Sequence, residues 1–229
     1  YHCKPDGALI KADHLLGFDE IPLQNSDPRN QDAVQLLGRP AGDGLITIRE
    51  TDRMLVLSCE QFTYVFNKLT GLFDKMTFAN EPLLDQPMGF NVWRAPTDND
   101  RKLKADWYAA HYDHAATNAY HTEYTVTASG VTLHTHVGIA AICVQKFLDL
   151  DVTWTVANNG SVDLALHAQR NTVFPELPRF GLRLFLPQEM SQVNYYGMGP
   201  MECYRDKHHA ASHSSYTATV WQLHEDYIR

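Results

Sequence analysis

A strict alternation of apolar and polar side chains over residues 146–157 constrains the fold more than any other feature of this sequence. The apolar positions of this run are Leu148, Leu150, Val152, Trp154 and Val156. Successive side chains of a strand point to opposite faces, so this period of two predicts a strand with one buried and one solvated face. Asn159-Gly160 follows, a pair that favours the positive φ angles of a hairpin turn, and a second run covers residues 162–173. An antiparallel pair is therefore predicted here.

Short β-rich runs separated by glycine, proline and asparagine occur along most of the chain. They are residues 45–48, 54–58, 62–66, 72–78, 180–186, 193–196 and 216–221. Helical spacing of apolar residues is confined to residues 103–114, so strands and helices do not alternate regularly. This excludes a (β/α)₈ barrel, which is built from such alternation. The pattern predicts an all-β sandwich or a related all-β architecture.

Charge and cysteine content exclude several classes of protein. The 229 residues include 19 Lys and Arg against 27 Asp and Glu, a net charge of −8. Such a chain is a poor partner for nucleic acid or an anionic membrane, and its apolar stretches fall short of the roughly 20 residues that span a bilayer. The four cysteines lie far apart in the sequence. We therefore expect buried, reduced thiols in a cytoplasmic protein.

The first forty residues differ in character from the rest of the chain. Residues 24–32 are polar, and residues 38–44 form a glycine-containing joint, which places a domain boundary near residue 42. We expect residues 1–42 to be the C-terminal end of a preceding domain with its linker, and residues 43–229 to form the main domain. Because the chain begins with Tyr1 and ends in an apolar, aromatic segment, we expect a fragment truncated at its C-terminus.

Metal and phosphate chemistry find little support in the sequence. His134 and His136 share one strand face, opposite the apolar side chains of that strand, so they should be solvated. With no third ligand at short spacing, no metal is expected. The histidines between residues 208 and 213 are typical of a polar loop. Residues 197–200, Gly-Met-Gly-Pro, lack the Lys and Ser or Thr of a phosphate loop and predict a turn.

Two segments have a composition that suits carbohydrate binding. Residues 90–100 run from bulky aromatics into Arg94 and a Pro-Thr-Asp-Asn-Asp turn, and residues 195–207 combine aromatics, a Gly-Pro step and alternating charges. Aromatic faces stack on sugar C–H groups, while Asp, Asn and Arg side chains hydrogen-bond hydroxyls. An ion-paired turn between Arg94 and a neighbouring aspartate explains the first segment equally well.

These segments, with a third, resemble motifs of a known enzyme family. Residues 93–100, WRAPTDND, resemble the W/F-R-A-P-x-D-N-D motif of the large bacterial β-galactosidases of glycoside hydrolase family 2. Residues 199–206, GPMECYRD, are similar to their G-P-x-E-x-Y-x-D-R segment, with Lys207 in place of the final arginine. Residues 177–182, LPRFGL, resemble the L-P-R-x-G-L run that precedes it.

The resemblance covers residues 45–229, and residues 1–41 resemble the end of the preceding immunoglobulin-like domain. In that family this region is the C-terminal domain, called the small chain when it is encoded separately. The resemblance implies an antiparallel supersandwich of the galactose-mutarotase-like type, preceded by the end of an immunoglobulin-like sandwich. It also implies a fragment of a β-galactosidase that hydrolyses terminal β-D-galactosides such as lactose.

The resemblance also implies roles for individual residues. In the family the catalytic carboxylates and the magnesium ligands lie on the barrel, so no residue here inherits a catalytic or metal-binding role. The loop that begins at residue 101 lies at the mouth of the family's active site. The residues implied to border the substrate are Trp93, Arg94, Asp98, Asn99, Asp100, Arg101 and Lys102. The motif residues implied to be structural are Arg179, Gly199, Pro200, Glu202, Tyr204 and Asp206.

Partners and cofactors follow from the same resemblance. It implies docking on the catalytic barrel of a parent β-galactosidase, a galactoside substrate and a homo-oligomeric parent, with no nucleic-acid or membrane partner. It implies no cofactor in this chain, and magnesium with sodium as a second ion in the parent. By itself the chain is expected to be inactive.

Two other functions stay open from the sequence alone. A free-standing epimerase of the galactose-mutarotase type would share the implied fold and would need a histidine acid and a glutamate base. His167 and Glu202 can be nominated for these roles, although their spacing does not favour them. A carbohydrate-binding module is the other alternative.

Overall fold

The computed structural model describes residues 2, 13–15, 17–21, 44–203 and 208–224. These residues are mostly antiparallel strand with one short α-helix, so the all-β prediction is confirmed. The chain divides into two compact units, Gly38–Gln188 with Tyr227–Arg229, and Tyr1–Leu37 with Glu189–Asp226. The predicted boundary near residue 42 and most of the expected immunoglobulin-like end lie outside the described residues and stay predictions.

The described strands and the helix follow one another in a simple order along the chain. They are β1 (Thr47–Glu50), β2 (Met54–Ser58), β3 (Phe62–Asn67), β4 (Leu72–Phe78), β5 (Glu81–Pro82), β6 (Gln86–Asn91), α1 (Lys104–Ala109), β7 (Ala116–Thr127), β8 (Gly130–Ala140), β9 (Leu148–Ala157), β10 (Val162–Arg170), β11 (Gly181–Phe185), β12 (Gln192–Gly199) and β13 (Ser212–Thr219). Strands β1 to β5 form one sheet in sequence order, and the order β10-β9-β8-β7 forms a second. Strand β6 pairs with β11, and β12 pairs with β13.

The five-stranded and four-stranded sheets share one apolar core. Trp154 of β9 meets Phe73 of β4 edge to face, with ring centroids 5.2 Å apart. The Trp154 indole N–H donates to the carbonyl of Gly71 at 3.0 Å, and the Tyr64 hydroxyl donates to the carbonyl of Gly160 at 2.7 Å. Both bonds are buried, where an unpaired polar group would be costly, so they fix how the two sheets meet.

Strand β9 has the alternation that the sequence predicts. Its buried side chains are Leu148, Leu150, Val152, Trp154 and Val156. The intervening Asp151 is exposed, and Gly160 takes a φ of +83° in the turn before β10, as predicted. His134 and His136 also lie on the solvated face of β8, where their rings contact polar side chains of β9.

The turn predicted over residues 197–200 is wrong, because Gly197 and Gly199 continue β12 and pair with β13. A Cβ atom at Gly199 would lie 2.6 Å from the Tyr195 hydroxyl oxygen and 2.8 Å from a ring carbon of Tyr216. Glycine is therefore needed at this position so that two tyrosines can cover the strand. It does not serve to reverse the chain.

Two elements in the middle of the chain differ from the sequence prediction. The helix predicted over residues 103–114 is limited to Lys104–Ala109, followed by a 3-10 turn, since His111 adopts a left-handed φ of 55°. Strand β7 was not predicted at all. Most of its side chains are exposed, and a register shift beside Tyr120 breaks its pattern.

The prediction of buried cysteines is wrong for the described residues. Cys143 is exposed, while Cys59 and Cys203 are half-buried. Cys143 lies in the loop between β8 and β9 with a φ of 63°, a backbone conformation typical of surface turns. Cys3 lies outside the described residues.

Candidate functional site

An ion pair between Arg94 and Asp100 forms the centre of the first candidate segment. Both terminal nitrogens of Arg94, which follows β6, donate to the Asp100 carboxylate, with Nη2 2.8 Å from Oδ1. Asp100 is only 6% exposed, and it also accepts the Thr97 backbone N–H at 2.8 Å and the Thr97 hydroxyl at 3.1 Å. The ion-paired turn that the sequence left open is therefore present.

Hydrogen bonds from Arg94 lower the pKa of the Asp100 carboxyl more than burial raises it. Hydrogen bonding from Arg94, assisted by the two Thr97 donors, lowers the pKa of the Asp100 carboxyl to about 2, although burial opposes that shift. The carboxylate is thus ionised and fully engaged within the chain. A carboxylate held in this way is suited to fixing a loop and unsuited to donating a proton.

Arg94 also joins this segment to a distant part of the chain. Its Nε donates to the carbonyl of Pro178 at 3.2 Å. Its guanidinium carbon lies 5.2 Å from the centre of the Trp107 ring, a cation–π contact with α1. One side chain therefore connects the 3-10 turn that contains Asp100, the helix and the loop before β11.

Residues 174–178, here called the clamped loop, are held by side-chain donors along their backbone. Arg170, Tyr112 and Trp107 donate to the carbonyls of residues 174, 175 and 176, at 2.8, 2.7 and 2.9 Å respectively. Arg94 supplies the donor to residue 178. Trp107 and Tyr112 are buried, and burial raises the pKa of the Tyr112 hydroxyl. The loop is consequently fixed without secondary structure of its own.

Trp93 lies half-buried beside this assembly. Its ring centroid is 5.2 Å from that of Tyr108, which is 48% exposed on α1. Asn91 brackets the Trp93 backbone, because its side-chain amide donates to the Trp93 carbonyl at 2.9 Å. The Asn91 amide oxygen accepts in turn from Arg183 of β11 at 2.7 Å. Pairing of β6 with β11 thus sets the position of the aromatic pair.

The remaining residues predicted to border the substrate point outward. Asp98, Asn99, Arg101 and Lys102 are all exposed, and within the described residues none of their side chains has a partner. Arg179, expected to be structural, is likewise exposed and unpaired in the described part of the chain. The structure thus separates residues 93–102 into an inward ion pair of Arg94 with Asp100 and an outward polar rim. The polar rim consists of Asp98, Asn99, Arg101 and Lys102.

The second motif lies in the smaller unit. Gly199 is buried at the end of β12, and its carbonyl accepts from the Tyr216 hydroxyl at 3.0 Å. Pro200 is exposed after a cis peptide bond, and Glu202 is half-buried. Tyr204 and Asp206 lie outside the described residues, so their expected structural role stays a prediction.

No group of three metal-ligating side chains converges in the described residues. Across the same residues, no helix has the length and apolar character needed to cross a membrane. The carboxyls whose pKa is displaced, Glu20, Glu50 and Asp100, are all lowered, each through hydrogen bonds to neighbouring donors.

Several residues of this site were missed at the sequence level. Tyr112, Arg170 and Arg183 organise the loops but belong to no motif, and Asn91 lies in the candidate segment 90–100 but was given no role. The contact of Tyr112 with Pro175 spans 63 residues of sequence. Trp107 was the one partial signal, since it lies at helical spacing in the predicted helix. Long-range pairing of this kind leaves no local trace in the sequence.

A family model described as the β-galactosidase small chain matches residues 58–229. The chain belongs to the β-galactosidase small-chain family. The resemblance drawn from the three motifs is thereby confirmed, and the family match does not favour the epimerase alternative. His167, nominated for that alternative, is exposed on β10, an edge strand of the four-stranded sheet.

Several curated relatives of this chain are named β-galactosidase. The β-galactosidase of Actinobacillus pleuropneumoniae is 34% identical over 96% of this chain and 22% of its own length. That of Staphylococcus xylosus is 31% identical over 100% of this chain and 22% of its own length. The β-galactosidase of Pseudoalteromonas haloplanktis is 26% identical over 100% of this chain. The chain spans about a fifth of the length of the curated relatives it matches.

Proposed function

We propose that this small chain supports and borders the active site of a β-galactosidase that hydrolyses terminal β-D-galactosides such as lactose. In this proposal the catalytic carboxylates belong to a barrel elsewhere in the enzyme, and the chain by itself is inactive. The proposal includes a homo-oligomeric parent in the cytoplasm that uses magnesium, with sodium as a second ion. Its main support is the division of residues 93–102 into a fixed interior and an outward polar rim.

The inward residues of that segment, Arg94, Thr97 and Asp100, support a role in fixing the shape of the loop. Arg94 donates to Asp100 through both terminal nitrogens and to the Pro178 carbonyl through Nε, and Asp100 also accepts from Thr97. Both side chains are therefore fixed within the chain. A rigid base of this kind preorganises the groups that it carries, which is how a supporting shell contributes to binding.

The exposed side chains of Asp98 and Asn99 in that segment support contact with a sugar. Asp98 and Asn99 offer a carboxylate and an amide, both exposed, and Trp93 and Tyr108 form an aromatic pair in the same part of the chain. These are the groups that hydrogen-bond hydroxyls and stack on pyranose faces. Retaining glycosidases also need two carboxyls about 5 Å apart, one of them with a raised pKa. Asp100, with its lowered pKa, does not suit that acid role.

A chimera tests the proposal. The matching segment of the Actinobacillus pleuropneumoniae β-galactosidase is replaced with this chain, and hydrolysis of 2-nitrophenyl β-D-galactoside is measured. We expect activity in the chimera and none in the relative lacking the segment. In the chimera, Asp98→Ala with Asn99→Ala should lower kcat/KM by roughly tenfold, about one lost hydrogen bond to a hydroxyl.

Lys75→Ala serves as the matched control, because Lys75 is exposed on β4 and lies outside the candidate segment. That variant should retain the activity of the chimera. A folded but inactive chimera, or equal activity with and without the Asp98 and Asn99 side chains, would contradict the proposal.

A further inference from the structure

The turn between β9 and β10 contains the one Asn-Gly step of the sequence, Asn159-Gly160. Such a step can modify itself, because glycine has no side chain to shield its backbone nitrogen from the amide of the preceding asparagine. Asparagine is for this reason among the residues most prone to chemical change. The step also lies where the two large sheets meet, since the Gly160 carbonyl accepts from the buried Tyr64 hydroxyl of β3 at 2.7 Å.

The side-chain amide of Asn159 is held in a way that activates it. Its Oδ1 accepts the backbone N–H of Ser161 at 2.9 Å and the Ser161 hydroxyl at 2.7 Å. Two donors on this oxygen stabilise the negative charge that develops there when a nucleophile attacks the amide carbon. Because Ser161 is only two residues along the chain, these donors do not depend on the packing of the sheets.

Gly160, which carries the nucleophilic nitrogen, is restrained by its surroundings. Its N–H donates to the Ala157 carbonyl at 2.9 Å, and its φ is +83°. A Cβ atom on Gly160 would lie 2.9 Å from the ring of Phe78 and 3.0 Å from the ring of Phe62, so the residue is closely enclosed. Together with the bond from Tyr64, these contacts fix the backbone on both sides of the reacting nitrogen.

Closure of an imide between the two residues is incompatible with this enclosure. The five-membered imide includes the Cα–C bond of Asn159, and rotation about that bond is needed to bring the Gly160 nitrogen to the Asn159 Cγ. The rotation breaks the N–H bond to Ala157 and draws the Gly160 carbonyl away from Tyr64. The reaction therefore requires a local opening of the contact between the sheets, and the population of that open state sets the rate.

We propose that Asn159-Gly160 is a self-modification site that reacts when the bond between Tyr64 and Gly160 opens. The Gly160 nitrogen forms a bond to the Asn159 Cγ, its proton passes to the side-chain amide nitrogen, and the C–N bond of that amide breaks to release ammonia. Water then opens the cyclic imide at either carbonyl, which gives aspartate or isoaspartate. No oxidation or reduction takes place.

Both products change the turn permanently. Aspartate adds a negative charge at residue 159, and isoaspartate also lengthens the main chain of the turn by one carbon. The longer turn cannot keep the Gly160 carbonyl on the Tyr64 hydroxyl while Phe62 and Phe78 enclose the glycine. The buried hydroxyl loses this acceptor, which destabilises the contact between the sheets. A turn that has opened and reacted to isoaspartate therefore does not return to its native form.

Deamidation of the 229-residue chain tests this proposal. The chain is kept in mildly alkaline buffer, and trypsin then releases residues 147–170, in which fragment-ion mass spectrometry separates Asn158 from Asn159. Tyr64→Phe removes the hydroxyl and keeps the ring. Trp154→Phe is the matched control, because it removes a second buried bond between the two sheets, to the Gly71 carbonyl, and leaves the turn itself unchanged.

Tyr64→Phe should raise the rate of reaction at Asn159 by roughly tenfold, because opening of the turn no longer breaks this hydrogen bond. Trp154→Phe should change the rate by less than about threefold, since it leaves the local opening unaltered. Urea should accelerate the native chain at least as much as Tyr64→Phe does.

Three outcomes would overturn the proposal. Equal acceleration by Tyr64→Phe and Trp154→Phe would show that the reaction follows global unfolding. An unchanged rate in Tyr64→Phe would show that the bond to Gly160 does not restrain the turn. A native chain that reacts as fast as the urea-unfolded chain would show that the fold gives no protection, and this comparison needs no variant. None of these outcomes bears on the proposed function.

Discussion

The guanidinium of Arg94 and the carboxylate of Asp100 form a two-pronged ion pair six residues apart, and the carboxylate is almost entirely buried. Arg94 uses its third nitrogen to hold the carbonyl of Pro178 and lays its face over Trp107. One side chain therefore connects the turn, the helix and the clamped loop.

Removing Arg94 should destabilise the chain. Arg94→Ala leaves the buried Asp100 carboxylate without its main donor and the Pro178 carbonyl without its partner, which should cost about 3 kcal/mol of unfolding free energy. Urea unfolding monitored by tryptophan fluorescence measures the loss. Arg53→Ala, at an exposed arginine with no side-chain partner in the described residues, should change the free energy by less than about 0.5 kcal/mol. Equal effects of the two substitutions would refute this role for Arg94.

Acid should weaken the same pair. The pKa of Asp100 is lowered to about 2 from an ordinary value of 3.8, so its contribution to stability is full above pH 3.8 and is lost as the pH falls toward 2. The difference in unfolding free energy between the native chain and Asp100→Asn should be constant from about pH 7 to 5 and should shrink between about pH 4 and 2. Urea unfolding across this range measures it. A difference that grows as the pH falls would contradict the assignment.

Gly71 should not tolerate a side chain. It takes a φ of +72°, and an added Cβ would lie 2.7 Å from Val137 and 2.9 Å from Thr135 on the facing sheet. Gly71→Ala should therefore lower the unfolding free energy by about 3 kcal/mol, through backbone strain and overpacking. Gly89→Ala is the matched control, because nothing lies within 4 Å of the added carbon. Comparable losses in the two variants would show that the sheets do not meet closely at Gly71.

The indole N–H of Trp154 should contribute to the stability of the fold separately from the packing of its ring. Trp154→Phe keeps an aromatic ring against Phe73 but leaves the buried Gly71 carbonyl without its donor, which should cost about 2 kcal/mol. Trp221→Phe, at a tryptophan that is 86% exposed, should be close to neutral. Thermal unfolding of both variants measures the contrast. A neutral Trp154→Phe would mean that this bond does not join the sheets.

Strands that bury one face and expose the other could be predicted from the sequence. Strands β2 and β4 match the predicted runs at both ends, and β9 shows the predicted alternation, because each packs one face on the shared core. Strand β7 was missed, since most of its side chains are exposed and its place depends on pairing with β8. Gly199 misled for a related reason: the need for glycine there arises from the side chains of Tyr195 and Tyr216, which are not its chain neighbours.

The candidate site was predictable only in its motif residues. The sequence presented an ion pair of Arg94 with an aspartate as one of two interpretations, and the structure contains that pair with Asp100. It could not indicate that Tyr112 holds the clamped loop, because Tyr112 and Pro175 are 63 residues apart and meet only in the folded chain. The bond from Arg170 to the Phe174 carbonyl is local, but Arg170 belongs to no recognised motif. The roles of the outward residues toward a substrate remain predictions.

Turnover by the isolated 229-residue chain tests the central claim most directly. The purified chain is incubated with 2-nitrophenyl β-D-galactoside and magnesium, and release of nitrophenol is followed. A chain that only shapes and borders a pocket should give no release above a buffer blank, while the chimera with the Actinobacillus pleuropneumoniae enzyme hydrolyses the same substrate. Sustained release by the chain alone would show that it carries its own catalytic groups and would contradict the account.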